Sequence, residues 1–155
     1  KPECCHFATA REEQEFLAGR LHDLLKDRPA EEVCLVARTA KTLKDDYQSL
    51  LKAEGIPHTV LGQGKEAGGK GVRLATLHRV KGLEFPVMIV AGVNAKVLPM
   101  RLSSVEGDPT AKAEHEERER SLLFVAATRA RDSLLVTSWG TTSPFLAGPA
   151  NAETK

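Results

Sequence analysis

The chain has 155 residues, of which 41% are hydrophobic and 28% are charged, a composition typical of one globular domain with its own core. A formal net charge of +1 lacks the basic excess of a free-standing nucleic-acid-binding domain, although it leaves room for a local contact. The three cysteines include no CxxC pair, which argues against a zinc or disulfide framework. No apolar run approaches the roughly 20 residues that span a bilayer, so we expect no membrane association and a cytoplasmic protein.

The N-terminal end carries no secretory signal pattern and begins with lysine, so we expect a piece of a longer protein. Residues 4–8 predict a short strand. Thr9 and Glu12 have the three-residue spacing of a capping box, which predicts a helix that starts after Thr9. Apolar residues then recur at helical spacing: Phe16, Leu17, Leu21, Leu24 and Leu25.

The middle of the chain continues this alternation of strand and helix. Residues 33–37 form an apolar run short enough for a buried strand. A second helix is expected from about Ala40, with Gly55 as its C-terminal stop. Its apolar face is formed by Leu43, Tyr47, Leu50 and Leu51. Residues 58–61 predict another strand.

The glycine-rich connector at residues 62–71 matches most of a phosphate-binding loop through Gly64, Gly69 and Lys70. Such a loop needs Ser or Thr after the lysine to hold Mg²⁺, and then a helix. Here Gly71 follows, and then a predicted strand. We therefore interpret the connector as a mobile surface loop or as the place where a longer segment has been removed.

The C-terminal half predicts strands at residues 72–77, 87–91 and 134–137. Between the last two strands, residues 113–130 predict a helix with an acidic start and a basic end, which suits the helix dipole. Strands that alternate with helices indicate an α/β domain over residues 1–140 with a mainly parallel sheet. Residues 141–155, rich in Gly, Pro, Ser and Thr, predict a disordered tail.

The first segment with chemical potential is TLHRVKGLEFP, residues 76–86, which connects two predicted strands. It starts at the carboxyl end of a strand, where ligands gather in open α/β sheets. Gly82 would let a ligand approach the backbone closely. His78, Lys81 and Glu84 concentrate polar groups in this short connection. From these residues alone, a ligand-binding loop and an ordinary surface loop remain equally open.

The second segment is EERERSLLFVAATRAR, residues 116–131. It is typical of an amphipathic helix in which Glu116 and Arg120 have the favourable i, i+4 order. Four apolar residues are expected in the core: Leu122, Leu123, Val125 and Ala126. Arg129, just before the last strand, fits both a helix-end cation and a phosphate ligand, and the spacing does not decide between them.

The two segments resemble motifs V and VI of the superfamily 1 helicases of the UvrD, Rep and PcrA type. VCLVART, residues 33–39, is similar to motif IV of the same family. The motifs occur in family order, and the match runs from about residue 10 to residue 138. The resemblance implies a RecA-like, P-loop NTPase-type fold that lacks its own P-loop. It identifies the chain as the second RecA-like domain, called 2A.

In that family ATP with Mg²⁺ lies between two RecA-like domains. The resemblance implies that Arg38 and Arg129 contact the γ-phosphate as catalytic arginines. It also implies that Glu84, with Gly82 beside it, contacts the ribose. The P-loop and the Mg²⁺ ligands would come from the N-terminal domain of the same parent chain, and no metal ligand is expected here.

For DNA, the resemblance implies that Thr76 and His78 contact a single strand, with Lys81 supporting the loop. Two departures from the family pattern stand out. Ala37 occupies the position where we expect an aromatic residue that stacks on adenine. Only residues 62–71 fill the place where related proteins insert a whole domain, called 2B, so strand separation by the parent is in doubt.

The sequence thus predicts the second motor domain of an ATP-dependent DNA helicase or translocase, inactive as an ATPase when isolated. One alternative is a non-catalytic, helicase-like scaffold or protein-binding module. Another is part of a nuclease-fused recombination helicase, although the chain itself shows no cluster of nuclease carboxylates.

Overall fold

The computed structural model of the chain describes residues 2–62, 70–95 and 97–146. Its centre is a six-stranded sheet in the order β1-β6-β5-β2-β4-β3, in which all neighbouring strands are parallel. The strands are β1 (Glu3–Phe7), β2 (Val33–Ala37), β3 (His58–Val60), β4 (Val72–Thr76), β5 (Phe85–Val90) and β6 (Ala130–Trp139). The prediction of an α/β domain with a mainly parallel sheet is confirmed.

Helix α1 (Ala10–Asp27) begins where the capping pattern predicts. Thr9 Oγ1 accepts a hydrogen bond from the Glu12 N–H at 3.2 Å. The Glu12 carboxylate in turn accepts one from the Ala8 N–H at 3.0 Å. These bonds satisfy backbone donors that the start of a helix would otherwise leave free.

The second predicted helix is one helical stretch with a wider turn in its middle. Helix α2 (Ala40–Thr42) continues into a π-helical segment (Leu43–Gln48) and then into α3 (Ser49–Ala53). The i, i+4 spacing of its apolar residues fits an ordinary α-helix, so the sequence pattern does not predict the π geometry. Gly55 follows with a φ of 70°, as expected for a C-terminal stop.

Helix α4 (Pro109–Ala127) starts and ends earlier than the predicted range of 113–130. Asp108 caps it by accepting two backbone N–H bonds at 3.1 Å, a start that the prediction missed. β6 already begins at Ala130, which pairs with Phe85. Arg129 therefore lies in the turn between α4 and β6.

The buried strands distribute their side chains between two hydrophobic layers. One layer lies toward α1 and the π-helical segment and includes Leu17, Leu35, Tyr47, Leu74 and Ile89. The opposite layer lies toward α4 and includes Cys34, Val36, Ala75, Met88 and Ala126. Because successive residues of a strand point to opposite faces, β2 contributes to both layers.

The chain continues to pack on the domain after β6. The Trp139 N–H donates to Asn94 Oδ1 at 2.8 Å, and Asn94 forms an antiparallel bridge with Thr142. Ser143 is fully buried, and its N–H donates to the Val93 carbonyl at 3.1 Å. The packed domain thus extends at least to residue 146, past the boundary that the sequence predicts at residue 140.

Two predictions concern residues outside the described ranges. The connector prediction falls mainly on residues 63–69, and the predicted tail, residues 141–155, falls outside the described ranges from residue 147 on; both stay predictions. None of the helices in the described ranges combines the length and the apolar character needed to cross a membrane.

A buried carboxylate holds four elements together. Glu13 in α1 is fully buried and accepts hydrogen bonds from the Tyr47 hydroxyl at 2.7 Å, the Thr137 hydroxyl at 2.7 Å and the Gly92 N–H at 2.9 Å. Burial, reinforced by the charge of Glu13, raises the pKa of Tyr47 well above its usual range, so this hydroxyl stays protonated and donates. The site links α1 to the π-helical segment and to the carboxyl ends of β5 and β6.

We predict that Glu13→Gln destabilises the 155-residue chain by about 2–3 kcal/mol, because the amide group places donors where three donors already converge. Urea unfolding measures the effect. The matched control is Glu15→Gln on the exposed face of α1, where the carboxylate is 66% exposed, and its unfolding midpoint should stay close to that of the unmodified chain. Equal effects of the two substitutions would contradict the role given to Glu13.

Candidate functional site

Three of the predicted site residues meet at the carboxyl-terminal edge of the sheet. Arg38 directly follows β2, Thr76 ends β4, and His78 lies two residues further on. The Leu77 N–H donates to the Ala37 carbonyl at 3.0 Å, which holds the two strand ends side by side. This is the edge at which open α/β sheets bind ligands.

Two other predicted residues lie at the opposite, amino-terminal edge. Glu84 precedes β5, Arg129 precedes β6, and the Phe85 N–H donates to the Arg129 carbonyl at 3.0 Å. The connection of residues 77–84 therefore runs from one edge of the sheet to the other. Within it Gly82 has a φ of 82°, and the position of a Cβ there would be open, so a ligand can approach this backbone.

The structure separates the two arginines that the sequence assigns to one γ-phosphate. In the pairing of β2 with β5, Val33 lies opposite Val87. In the pairing of β5 with β6, Phe85 lies opposite Ala130, so Arg129 lies beside Glu84. Arg38 therefore stands about eight residues farther along the sheet than Arg129, roughly 25 Å at about 3.3 Å per residue. The backbone positions of Arg38 and Arg129 therefore lie at opposite edges of the sheet.

Arg38 is engaged by a buried carboxylate instead. Its Nε and Nη2 donate to the two oxygens of Glu119 in α4 at 2.9 and 2.6 Å, and the two side chains are only 10% and 5% exposed. The Met100 N–H donates to the same carboxylate at 2.9 Å, and His115 Nε2 contacts the Met100 carbonyl. Arg38 thus joins the end of β2 to α4 and to the loop before α4.

This pair controls the ionisation of Glu119. Burial by itself raises the pKa of the carboxyl, but hydrogen bonds from Arg38 and the Met100 N–H, together with the charge of Arg38, outweigh burial and lower the pKa. Removing one partner of a buried ion pair typically costs about 3–5 kcal/mol, because the other charge is left uncompensated. A phosphate contact by Arg38 would require that this pair be broken.

Arg129 has a different environment. Its side chain is half-buried, and its Nε is buried with no hydrogen-bond acceptor in the part of the chain that the structure describes. A buried donor without an acceptor costs free energy, and because this atom has no exposed surface, a ligand oxygen would reach it only after the atoms that cover it move. Of the two predicted catalytic arginines, Arg38 has an ion-pair partner among the described residues.

Three clefts lie beside the predicted site residues. A cleft of about 560 Å³ separates His78 and Lys81 from α4. Thr76 and Lys44 line a second cleft of about 300 Å³, also toward the carboxyl-terminal edge. Glu84 lines a third cleft of about 340 Å³ at the amino-terminal edge. The predicted DNA contacts and the predicted ribose contact therefore face different clefts.

Glu119 is the site residue that the sequence interpretation missed. Glu119 lies in a run of charged residues. It also stands three positions before Leu122 and seven before Ala126, on the helix face that is predicted to be buried. A charged residue at a core position needs a charged or hydrogen-bonding partner, so the position of Glu119 in the sequence indicated a buried polar contact. Nothing in the sequence identified Arg38 as that partner.

The architecture matches that of solved helicase domains. The C-terminal domain of a possible DNA helicase from Lactobacillus plantarum WCFS1 superposes with a TM-score of 0.72 at 21% identity, over 96% of this chain and 81% of that one. The Sulfolobus solfataricus SWI2/SNF2 ATPase core in complex with double-stranded DNA gives 0.56 at 12% identity, over 97% and 28%. At these identities the likeness establishes the fold alone, an α/β domain with a parallel sheet.

The family model of the UvrD-like helicase C-terminal domain matches residues 63–140, about half of the chain, and includes the segments 76–86 and 116–131. The chain belongs to the UvrD-like helicase C-terminal domain family.

Its relatives are much longer proteins. The ATP-dependent DNA helicase PcrA of Bacillus subtilis (strain 168) is 44% identical over 75 residues, which are 48% of this chain and 9% of that protein. DNA helicase II of Escherichia coli (strain K12) is 31% identical over 110 residues, which are 69% and 14%. The chain therefore spans between 9% and 14% of the length of these two relatives.

We predict that the stabilising contribution of Glu119 depends on pH. Because its folded-state pKa lies below the usual 4.5, its contribution is fully present above that value and is lost as the pH falls through the lowered pKa. Chemical unfolding at pH 7 should show Glu119→Gln less stable than the unmodified chain by about 2 kcal/mol or more, with a smaller difference at pH 3.

The matched control for this measurement is Glu117→Gln on the same helix, whose carboxylate is 70% exposed. Its stability difference from the unmodified chain should be small at both pH values. A deficit of Glu119→Gln that stayed constant from pH 7 to pH 3 would contradict the ionised pair.

Proposed function

We propose that this chain is the second motor domain, 2A, of an ATP-dependent DNA helicase or translocase. Membership of the UvrD-like family supports this proposal, and so do the relatives named ATP-dependent DNA helicases. The observation that carries it is the hydrogen bond from the Phe85 N–H to the Arg129 carbonyl, which brings the backbone of Arg129 next to Glu84 at one edge of the sheet. The Arg129 Nε has no acceptor among the described residues.

On the nucleotide side, Arg129 donates to the γ-phosphate, where a guanidinium suits the charge that spreads over the phosphoryl oxygens during transfer. Glu84 accepts hydrogen bonds from the ribose hydroxyls, and the open backbone at Gly82 lets the nucleotide approach. Arg38 does not enter this proposal as a phosphate ligand, because Glu119 occupies its guanidinium.

The remaining parts of the nucleotide site belong to the N-terminal domain of the parent chain. Within the described ranges, no group of three or more His, Cys, Asp or Glu side chains is placed to hold a metal ion. The proposal assigns the P-loop and the Mg²⁺ ligands to that other domain, as the motif resemblance implies. The isolated chain would then hydrolyse no ATP.

On the DNA side, Thr76, His78 and Lys81 offer a hydroxyl, an imidazole and an ammonium group toward the two clefts at the carboxyl-terminal edge. Such groups bind phosphates and sugars, and they fix the register of a strand without reading its sequence. The connection of residues 77–84 begins at these contacts and ends at Glu84. A change in nucleotide at one end would therefore be transmitted to DNA at the other.

In the intact enzyme, Arg129→Ala should lower DNA-stimulated ATP turnover by about a thousandfold or more, because a transition-state charge loses its partner. Steady-state hydrolysis assays measure this loss. Arg11→Ala is the matched control, since Arg11 is 87% exposed on α1, and its turnover should stay near that of the unmodified enzyme. Unchanged turnover in Arg129→Ala would refute the motor assignment and favour the scaffold alternative.

Lys81→Gln should weaken single-stranded DNA binding and lower the slope of log affinity against log salt by about 0.7, the value for one lost phosphate contact on a single strand. Fluorescence anisotropy over a series of salt concentrations measures the slope. Lys26→Gln, which removes a 73% exposed lysine near the end of α1, is the control and should leave the slope unchanged. An unchanged slope in Lys81→Gln would remove this residue from the DNA contacts.

A further inference from the structure

Helix α4 buries few side chains against the sheet. Among its described residues three are buried, and two of these, His115 and Glu119, are polar, while the third is Ala126. Leu122 and Leu123, predicted as core residues, are half-buried at its edge. With so narrow an apolar contact, the position of the helix depends on what holds its two buried polar groups.

Glu119 is the point at which α4 is held. It accepts two hydrogen bonds from Arg38 at the end of β2 and one from the Met100 N–H in the preceding loop. His115, one turn earlier, contacts the carbonyl of the same Met100. The two parallel bonds from Arg38 fix orientation as well as distance, since a guanidinium and a carboxylate are both planar.

The held helix leads without a break to Arg129. The Thr128 N–H donates to the Phe124 carbonyl at 3.0 Å, and the Arg129 N–H donates to the Ala126 carbonyl at 3.1 Å. The Thr128 hydroxyl also donates to the Val125 carbonyl at 2.7 Å. A shift or rotation of α4 is therefore passed directly to Arg129.

The same helix forms one wall of the cleft that faces His78 and Lys81, and Glu119 contributes to that wall. A loosened α4 would thus alter both the phosphate contact at its end and the cleft beside the proposed DNA contacts. Arg38 contacts α4 through Glu119, which belongs to the helix that forms this wall and leads to Arg129.

We propose that Arg38 is a positioning residue that acts through Glu119. Their buried pair fixes α4, which places Arg129 at the nucleotide and holds the cleft wall opposite His78 in position. This inference rests on the proposed role of Arg129. It assigns to Arg38 a task different from the phosphate contact that the motif resemblance implies.

The test is a mutant cycle in the intact enzyme that crosses Glu119→Gln with Arg129→Ala, read as single-turnover ATP hydrolysis in the presence of single-stranded DNA. Glu119→Gln alone should lower the rate about 10- to 100-fold with little change in the ATP concentration at half-saturation, as expected for a misplaced catalytic group. In the Arg129→Ala background it should lower the rate by less than about twofold, because the group it positions is gone.

Two further variants protect the test against loss of folding. Arg38→Lys keeps the charge but not the paired geometry, and it should give an intermediate loss of rate while the melting temperature stays close to that of the unmodified enzyme. Arg11→Gln with Glu15→Gln removes an exposed pair and should change neither quantity.

The outcomes distinguish a failure of the proposed function from a failure of the positioning role of Arg38. If Arg129→Ala leaves turnover unchanged, the proposed function fails. If Arg129→Ala lowers turnover, two results would overturn the positioning role of Arg38. In the first, the hydrolysis rate of Glu119→Gln is close to that of the unmodified enzyme. In the second, Glu119→Gln lowers the rate by the same factor in the Arg129→Ala background as in the unmodified enzyme.

Discussion

The ion pair between Arg38 and Glu119 is the contact on which the candidate site depends. Both side chains are almost completely buried, so neither charge can be released without leaving the other uncompensated in a poorly solvated place. Such a pair adds little net stability compared with well-packed apolar residues, but it specifies geometry closely. Here it specifies where a sparsely buried helix sits, and Arg129 lies in the turn that follows this helix.

The parallel sheet sets the second constraint. All carboxyl ends of its strands meet at one edge and all amino ends at the other, so a residue that follows a strand cannot lie beside one that precedes a strand. Arg38 and Thr76 belong to the first edge, and Glu84 and Arg129 to the second. The connection of residues 77–84 and helix α4 both span this distance next to the candidate residues. Coupling between DNA and nucleotide would pass along them.

Much of the fold could be predicted from the sequence, because apolar runs and turn residues are local signals. The strand at residues 33–37 agrees with β2, and the start of α1 follows from Thr9. The π-helical segment could not be predicted, since Leu43 and Tyr47 have α-helical spacing. The predicted end of α4 at residue 130 was too late. Small and basic residues occur both at the end of this helix and at the start of β6, so the residue types do not mark the boundary between them.

The candidate site could be predicted only in part. Motif resemblance assigns nucleotide contacts to Arg129 and Glu84, which lie at adjacent strand ends, and these roles stay predictions. The resemblance also grouped Arg38 with Arg129, whereas in the structure Arg38 follows a strand and Arg129 precedes one. The partner of Arg38 was beyond prediction, because Glu119 is 81 residues away and only the folded sheet brings the two together.

The most direct measurement is a crystal structure of the intact enzyme with single-stranded DNA and a non-hydrolysable ATP analogue. We predict that the Arg129 guanidinium lies within hydrogen-bonding distance of the γ-phosphate while Arg38 stays paired with Glu119. A structure in which Arg38 has left Glu119 and contacts the phosphate, or in which Arg129 points away from the nucleotide, would contradict it.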